Sequence, residues 1–342
     1  MKKFIQNIIH FALIGLIPLF FLFLIYLFTD PFKVVKTYDT FYDNSKNERV
    51  GLNKDYVSTT TFINNCNKKK QNYNSFIFGN SRSILYQISD WKKHLQKNSQ
   101  CFHFDASNES LLALNKKMEF IDKNGYKINN VLLVLDKSIL IQDTPKTGHL
   151  FVISPILVNN SNIYYFHLSF IKAFLSFKFL YSYADFRLSG HIKPYMKANF
   201  LLDDKPLKYD VITNEVRQDF FEKCIQENRY YTPERMLSFY KRGKIQKQST
   251  ISIKESQKNI LKNIRKIAIM QHANIKIVIS PLYDQLKLNS NDLNYLKALF
   301  GNNNVFDYSG INYITNDYRN YYENSHYRPH IARAIMDNIY SK

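Results

Sequence analysis

Between residues 4 and 29 the chain carries no Lys, Arg, Asp or Glu, and residues 11–28, FALIGLIPLFFLFLIYLF, are almost wholly apolar. A helix needs about 20 such residues to cross the hydrocarbon of a bilayer. Lys2 and Lys3 precede the run as in a secretory signal, but the exit Leu27-Phe28-Thr29-Asp30-Pro31 offers no small-x-small cleavage site. The sequence therefore predicts a retained signal anchor over residues 1–30. A buried core helix is the lesser reading, because core helices rarely run this far without a charge. The flanking charges, Lys2 and Lys3 against Lys33, Lys36 and Lys46, do not decide the orientation. The short tip ahead of the run favours a cytoplasmic N-terminus. The expectation is a single-pass membrane protein with its body on the extracytoplasmic side, periplasmic or cell-surface.

The remaining chain is basic and aromatic. Of 342 residues, 47 are Lys or Arg against 28 Asp or Glu, a net charge of +19, and 15% are aromatic. Such apolar content excludes disorder. The charge nominates nucleic acid, anionic lipid or an acidic polymer as partner, and an exported body turns it toward anionic envelope material. Lys68 to Lys70 and the cluster Lys241, Arg242, Lys244, Lys247 could hold such a polymer or lipid headgroups, or could be ordinary solvated surface. Cys66 and Cys101 each precede an expected strand, so a disulfide between them and two unpaired thiols stay equally open; Cys224 has no evident partner. No Cys/His grouping suggests a metal, and no cofactor is expected.

Residues 31–74 are polar and rich in Asn and Lys, and read as a stalk. After them short apolar runs alternate with helical patterns. Strands are expected at 75–78, 101–104, 131–135, 275–279 and 305–307, and helices at 83–97, 111–123, 256–272, 292–300 and 329–340. The pattern predicts an α/β fold, a three-layer α/β/α doubly wound parallel sheet over residues 75–342. Residues 137–250 interrupt it as a large insertion, holding the aromatic run YYFHLSFIKAFLSFKFLYSYADF from Tyr164 to Phe186. This is either a lid, a surface lying against the membrane, or simply the apolar face of an inserted subdomain.

Ligands of open α/β sheets bind beyond the carboxyl ends of the strands. After the first strand comes Gly79-Asn80-Ser81-Arg82-Ser83, directly ahead of an expected helix. A serine there would have free backbone N–H groups beside it, as an attacked carbonyl requires; the same serines could be helix N-caps. Near the other end, Glu323-Asn324-Ser325-His326 precedes Pro329, which can open the last helix. His326 is placed to act as base toward Ser81, and Glu323, three residues earlier, to orient it. Pro329 argues against His326 and His330 forming a metal pair on one helix face.

These two blocks resemble the GDSL/SGNH hydrolase superfamily, whose first block is Gly-Asp-Ser and whose last is Asp-x-x-His. With a single N-terminal anchor, the chain is similar to the membrane-tethered branch related to alginate O-acetylation proteins and the D-alanyl transfer protein of teichoic acid modification. The resemblance covers about residues 75–136 and 270–342. It departs in Asn80 for Asp, in Glu323 for Asp, and in both middle blocks, which normally supply a Gly N–H and an Asn side chain to the oxyanion hole. Here the second strand is followed by Asp105-Ala106-Ser107-Asn108-Glu109-Ser110 and the third by Asp136-Lys137-Ser138. Asn108 and the N–H of Ser81 are the remaining candidate oxyanion donors.

The resemblance implies a serine esterase or O-acyltransferase acting on cell-envelope polysaccharide through acyl-Ser81, with His326 and Glu323 as partners. It also implies an integral-membrane acyl donor protein as a further partner. The alternative is a catalytically inactive SGNH-fold scaffold or glycan-binding protein. A cytosolic nucleic-acid binder lacks any recognisable reading motif.

Overall fold

The computed structural model describes residues 2–341, apart from the side chains of residues 2, 8–10 and 12–14. Helix α1, Lys2–Thr29, is followed by an irregular stretch and then α2, Lys54–Lys68. The core is a five-stranded sheet: β1 Ser75–Gly79, β2 Cys101–Asp105, β3 Asn130–Leu135, β4 Asn274–Ile279 and β5 Val305–Asp307. The strands lie in the order β5-β4-β3-β1-β2, and every pairing is parallel.

Alternation within the strands builds two cores. Phe76, Phe78, Phe102, Phe104, Leu133 and Ile277 face one side, covered by α2, α3 (Leu111–Lys123), and two helices that follow the insertion. Ile77, Leu132, Val134 and Val278 face the other, covered by Trp91 and by the C-terminal helix Pro329–Tyr340. Period-two side chains buried on both faces give near-continuous apolar strands and the three-layer arrangement.

The chain leaves β1 across one face to β2, then returns across the other through α3 to β3 on the far side of β1. Right-handed crossovers impose that change of face when the direction reverses. The strand order 2-1-3-4-5 therefore has its topological switch point between β1 and β3, where a crevice opens at the carboxyl ends.

Two expectations need correction. Residues 83–97 are not one helix: a 3₁₀ turn at Ser83–Leu85 precedes an extended Gln87, a short helix at Ile88–Trp91 and another 3₁₀ turn. The Glu215 carboxylate, from the insertion, accepts the Ile88 N–H and restarts the helix there. The stalk expectation does not describe residues 54–68, because α2 packs Phe62 against Phe102 and Phe104 of the sheet. Of the two alternatives left open for Cys66 and Cys101, the unpaired one holds: they are free thiols on opposite faces of the sheet, and Cys224 is free as well. Burial pushes the Cys66 thiol up to about 11 and that of Cys101 up to about 12.

Among the described residues, no helix is long and apolar enough to cross a membrane. Since the side chains of residues 8–10 and 12–14 within α1 lie outside that set, the predicted span rests on the sequence alone.

Within the insertion, α4 (Ile163–Phe174) and α5 (Phe177–Ser189) carry the aromatic run and pack beneath the end of α1. Further on, the antiparallel pair Lys208–Asp210 and Glu215–Arg217 docks its turn on the outer edge of β2. There Thr213 O accepts the His103 N–H at 2.9 Å, and Asn214 Nδ2 donates to His103 O at 2.7 Å. An edge strand with its backbone groups paired in this way is closed to further strand addition.

Candidate active site

Ser81 lies in the turn after β1, at the switch point. Gly79 permits that turn: a Cβ there would stand 2.7 Å from Val134 O and 2.8 Å from the Ser83 Cβ. Real Cβ atoms do not approach backbone so closely, so the crossing of β1 past β3 requires glycine. Asn80 shapes the turn further, its Oδ1 accepting the Arg82 N–H at 3.0 Å.

His326 comes from the opposite end of the chain. Tyr321–Glu323 and His326–Tyr327 form a tight antiparallel hairpin in which Glu323 pairs with His326. The buried Tyr321, Tyr322 and Tyr327 fix it against the core. The Tyr321 hydroxyl donates to Pro281 O at 2.9 Å, just beyond β4.

The structure brings Ser81, His326 and Glu323 into one chain. Ser81 Oγ is 2.8 Å from His326 Nε2, and His326 Nδ1 bonds Glu323 Oε1. The other Glu323 oxygen accepts the Ser325 N–H at 2.7 Å. Burial pushes the Glu323 carboxyl up, but the His326 bond and charge, the Ser325 N–H and the Arg82 charge outweigh it and hold it below the usual range. An ionised Glu323 keeps the proton of His326 on Nδ1, leaving Nε2 to accept the hydrogen of Ser81. All three residues are half-buried, so the chain is reachable from solvent.

A second network lies beside it. Arg82 Nε donates to Ser325 O at 2.9 Å and Nη1 to Asp136 Oδ2 at 2.7 Å, while Asn80 Nδ2 donates to the same oxygen at 2.8 Å. Asp136 Oδ1 accepts the N–H groups of Ser138 and Ile139, capping the short helix Lys137–Leu140. Burial raises the Asp136 carboxyl, but Arg82 and these donors win, so it is ionised. Arg82 thus ties the Ser81 turn to the histidine hairpin and to the end of β3. Sequence reading passed over this role; the available signal was an Arg and an Asp just beyond two apolar runs, which become neighbours only once β1 and β3 are known to be adjacent.

The candidate oxyanion donors are less closely assembled. The Ser81 N–H donates to no group among the described residues. Asn108 is exposed in the loop after β2, at a left-handed φ of 52°, and bonds neither Ser81 nor His326. At the end of β3 the carboxylate of Asp136 faces Asn80. Compared with the GDSL/SGNH blocks that the sequence resembles, the identities are exchanged: the amide follows β1 and the carboxylate follows β3. Asn80 and Arg82 satisfy that carboxylate, so neither its charge nor its lone pairs are left unpaired.

From Arg82 and Asp136 a cavity of about 330 Å³ extends past Ser138, Ser280 and Asp284 to Ser309, along the carboxyl ends of β3 to β5. The basic cluster is not uniform. Arg242 spends its guanidinium on the carbonyls of Tyr283, Thr315 and Asn316 and stacks over the Tyr283 ring at 4.0 Å, whereas Lys241 and Lys244 border an open hollow beside it. His330 Nε2 bonds Asn320 Oδ1 at 3.1 Å. Among the described residues, no group of three metal-ligating side chains gathers.

No family model, no curated protein and no solved structure matches the chain.

Proposed function

We propose that the protein is a membrane-anchored serine esterase or O-acyltransferase of SGNH type, acting on an acyl ester of a cell-envelope polysaccharide. The Ser81–His326–Glu323 chain carries this reading. Its three members come from opposite ends of the sequence, meet at the switch point, and stand in the order nucleophile, base, orienting carboxylate.

In the reaction, Ser81 Oγ attacks the acyl carbonyl as its proton passes to His326 Nε2, and Glu323 stabilises the imidazolium. The tetrahedral oxyanion is met by the Ser81 N–H. Its collapse expels the alcohol, which takes the proton from His326, and leaves acyl-Ser81. Water or a sugar hydroxyl then attacks with His326 again as base, releasing acid or acylated glycan and restoring Ser81. The cavity beyond Arg82, lined by several serines, is roomy enough for an acceptor sugar. The hydrophobic run of residues 11–28 would hold the body at the extracytoplasmic face, beside an integral-membrane acyl donor.

Asp136 favours a second reading, a scaffold that binds glycan without turning it over, because a carboxylate stands where the family places an oxyanion donor. Hydrolysis of p-nitrophenyl acetate by the full chain in detergent separates the two. Turnover that falls by at least about 10³-fold in Ser81→Ala supports catalysis. Equal rates in both proteins overturn it in favour of the scaffold.

A further inference from the structure

We propose that the outer faces of α4 and α5 lie in the lipid headgroup region beside α1, so that the body rests on the bilayer instead of hanging from a tether. This rests on the reading of α1 as a membrane span.

The two helices are apolar on both sides. Their inner stripe, Phe166, Phe170, Phe174, Phe179 and Tyr183, is buried against Tyr26 at the end of α1 and Phe32 just beyond it. The Tyr26 ring packs at a tilt 5.3 Å from that of Phe174, and Phe32 likewise 4.8 Å from Phe179. Their outer stripe has the same helical spacing and, among the described residues, no aromatic partner outside the two helices except Tyr195, whose ring lies 5.7 Å from that of Tyr181. Tyr164 and Leu168 lie on α4, Phe177, Tyr181 and Leu188 on α5, with Tyr164 and Leu188 each 89% exposed and Phe177 83%. A helix apolar all round is stable only where both sides are covered.

What covers the outer side follows from continuity and charge. Phe28, the last apolar residue of α1, is 75% exposed, and α4 packs against that same end of α1. A bilayer around α1 would therefore reach its interface at the level of α4. Phe and Tyr are the side chains suited to that zone. Lys172, Lys178 and Arg187 are exposed on the same two helices and form no ion pair among the described residues, as an anionic headgroup layer would favour.

The arrangement also orients the site. Tyr56 of α2 packs on Phe166 at 5.2 Å, while Lys54, one turn-half earlier, pairs with Asp105 at the carboxyl end of β2. The aromatic helices thus sit at the end of the sheet that carries Ser81, and the nucleophile would work close to the membrane surface.

The test uses the full chain in vesicles of phosphatidylcholine and phosphatidylglycerol at 3:1, with a fluorophore on Cys introduced singly at Leu19, Phe177, Leu188 or Lys123. Lys123 is exposed at the end of α3, toward the amino ends of the strands. Lipids brominated on their acyl chains should quench the labels at 19, 177 and 188 at least about twofold and leave that at 123 unchanged. Quenching at 19 but not at 177 and 188 overturns the resting surface while α1 still spans. Protection of 177 and 188 from aqueous iodide without lipid quenching means that protein covers the face, and overturns it as well. Loss of quenching at 19 removes the span itself and the proposal with it.

Discussion

Ser81 and Ser83 stand two residues apart, and each bonds a histidine ring nitrogen: His326 Nε2 at 2.8 Å for the first, His103 Nε2 at 2.9 Å for the second. They differ in everything else that makes a nucleophile. Ser83 and His103 are fully buried, Ser83 Oγ donates its own hydrogen to Asn80 O at 2.8 Å, and His103 Nδ1 has no partner. The imidazole must then donate from Nε2, so it cannot accept a proton from Ser83. Ser81 is open to solvent, and His326 has an ionised carboxylate behind it. Proximity of Ser and His therefore decides little; the direction of the proton, the carboxylate and access decide the chemistry.

Substitutions can break this contrast, the largest effect first. Ser81→Ala should abolish ester turnover, down by at least about 10³-fold, while Ser83→Ala leaves turnover intact. What Ser83→Ala should lose is about 1–3 kcal/mol of stability in denaturant titration, because the buried N–H of His103 loses its acceptor. Glu323→Gln keeps the shape but removes the charge that holds the proton on Nδ1; kcat should fall about 10²- to 10⁴-fold with KM little changed.

Arg82→Lys is milder. A lysine cannot hold Ser325 O and Asp136 together as the planar guanidinium does, so kcat should fall about tenfold or more, and Arg82→Met further, because Asp136 would then be left without its cation.

The smallest effect is on pH-dependent stability. Burial, reinforced by Lys54 and Lys117 and partly offset by Asp105, pushes His103 down to about 4. The unfolded chain binds a proton near pH 6.5 that the folded chain refuses. The stability His103 contributes is complete above that value and is lost as pH falls from about 6.5 toward 4. Melting temperatures of His103→Gln should decline less over that window than those of the unaltered protein; identical slopes would mean that His103 is charged inside the fold.

The sheet was readable in the sequence because its strands are short apolar runs whose burial on both faces leaves no alternative. Helix α3 agreed to the residue, since Ser110 caps its start and Gly125 follows its end. Helix α2 was hidden for a physical reason. Its buried positions include Ser58, Thr59, Thr61 and Asn65, which are satisfied by bonds such as Ser58 Oγ to Asp105 O at 2.6 Å, so it shows no apolar stripe. The break at residue 87 depends on Glu215, far along the chain. The same holds for Lys117, wholly buried between Asp55 and Glu109, whose two carboxyl groups reach it from separate segments. Ser81, His326 and Glu323 were legible because each block lies at the end of an element and carries its own local order; the Arg82–Asp136 link needed the strand order first.

The most direct measurement is covalent. A fluorophosphonate phosphorylates a serine only where a base takes its proton and fluoride can leave, and digestion followed by mass spectrometry locates the adduct. The account predicts one adduct on Ser81, retained in Ser83→Ala and lost in His326→Ala. An unlabelled protein, or an adduct on any serine other than Ser81, would contradict it.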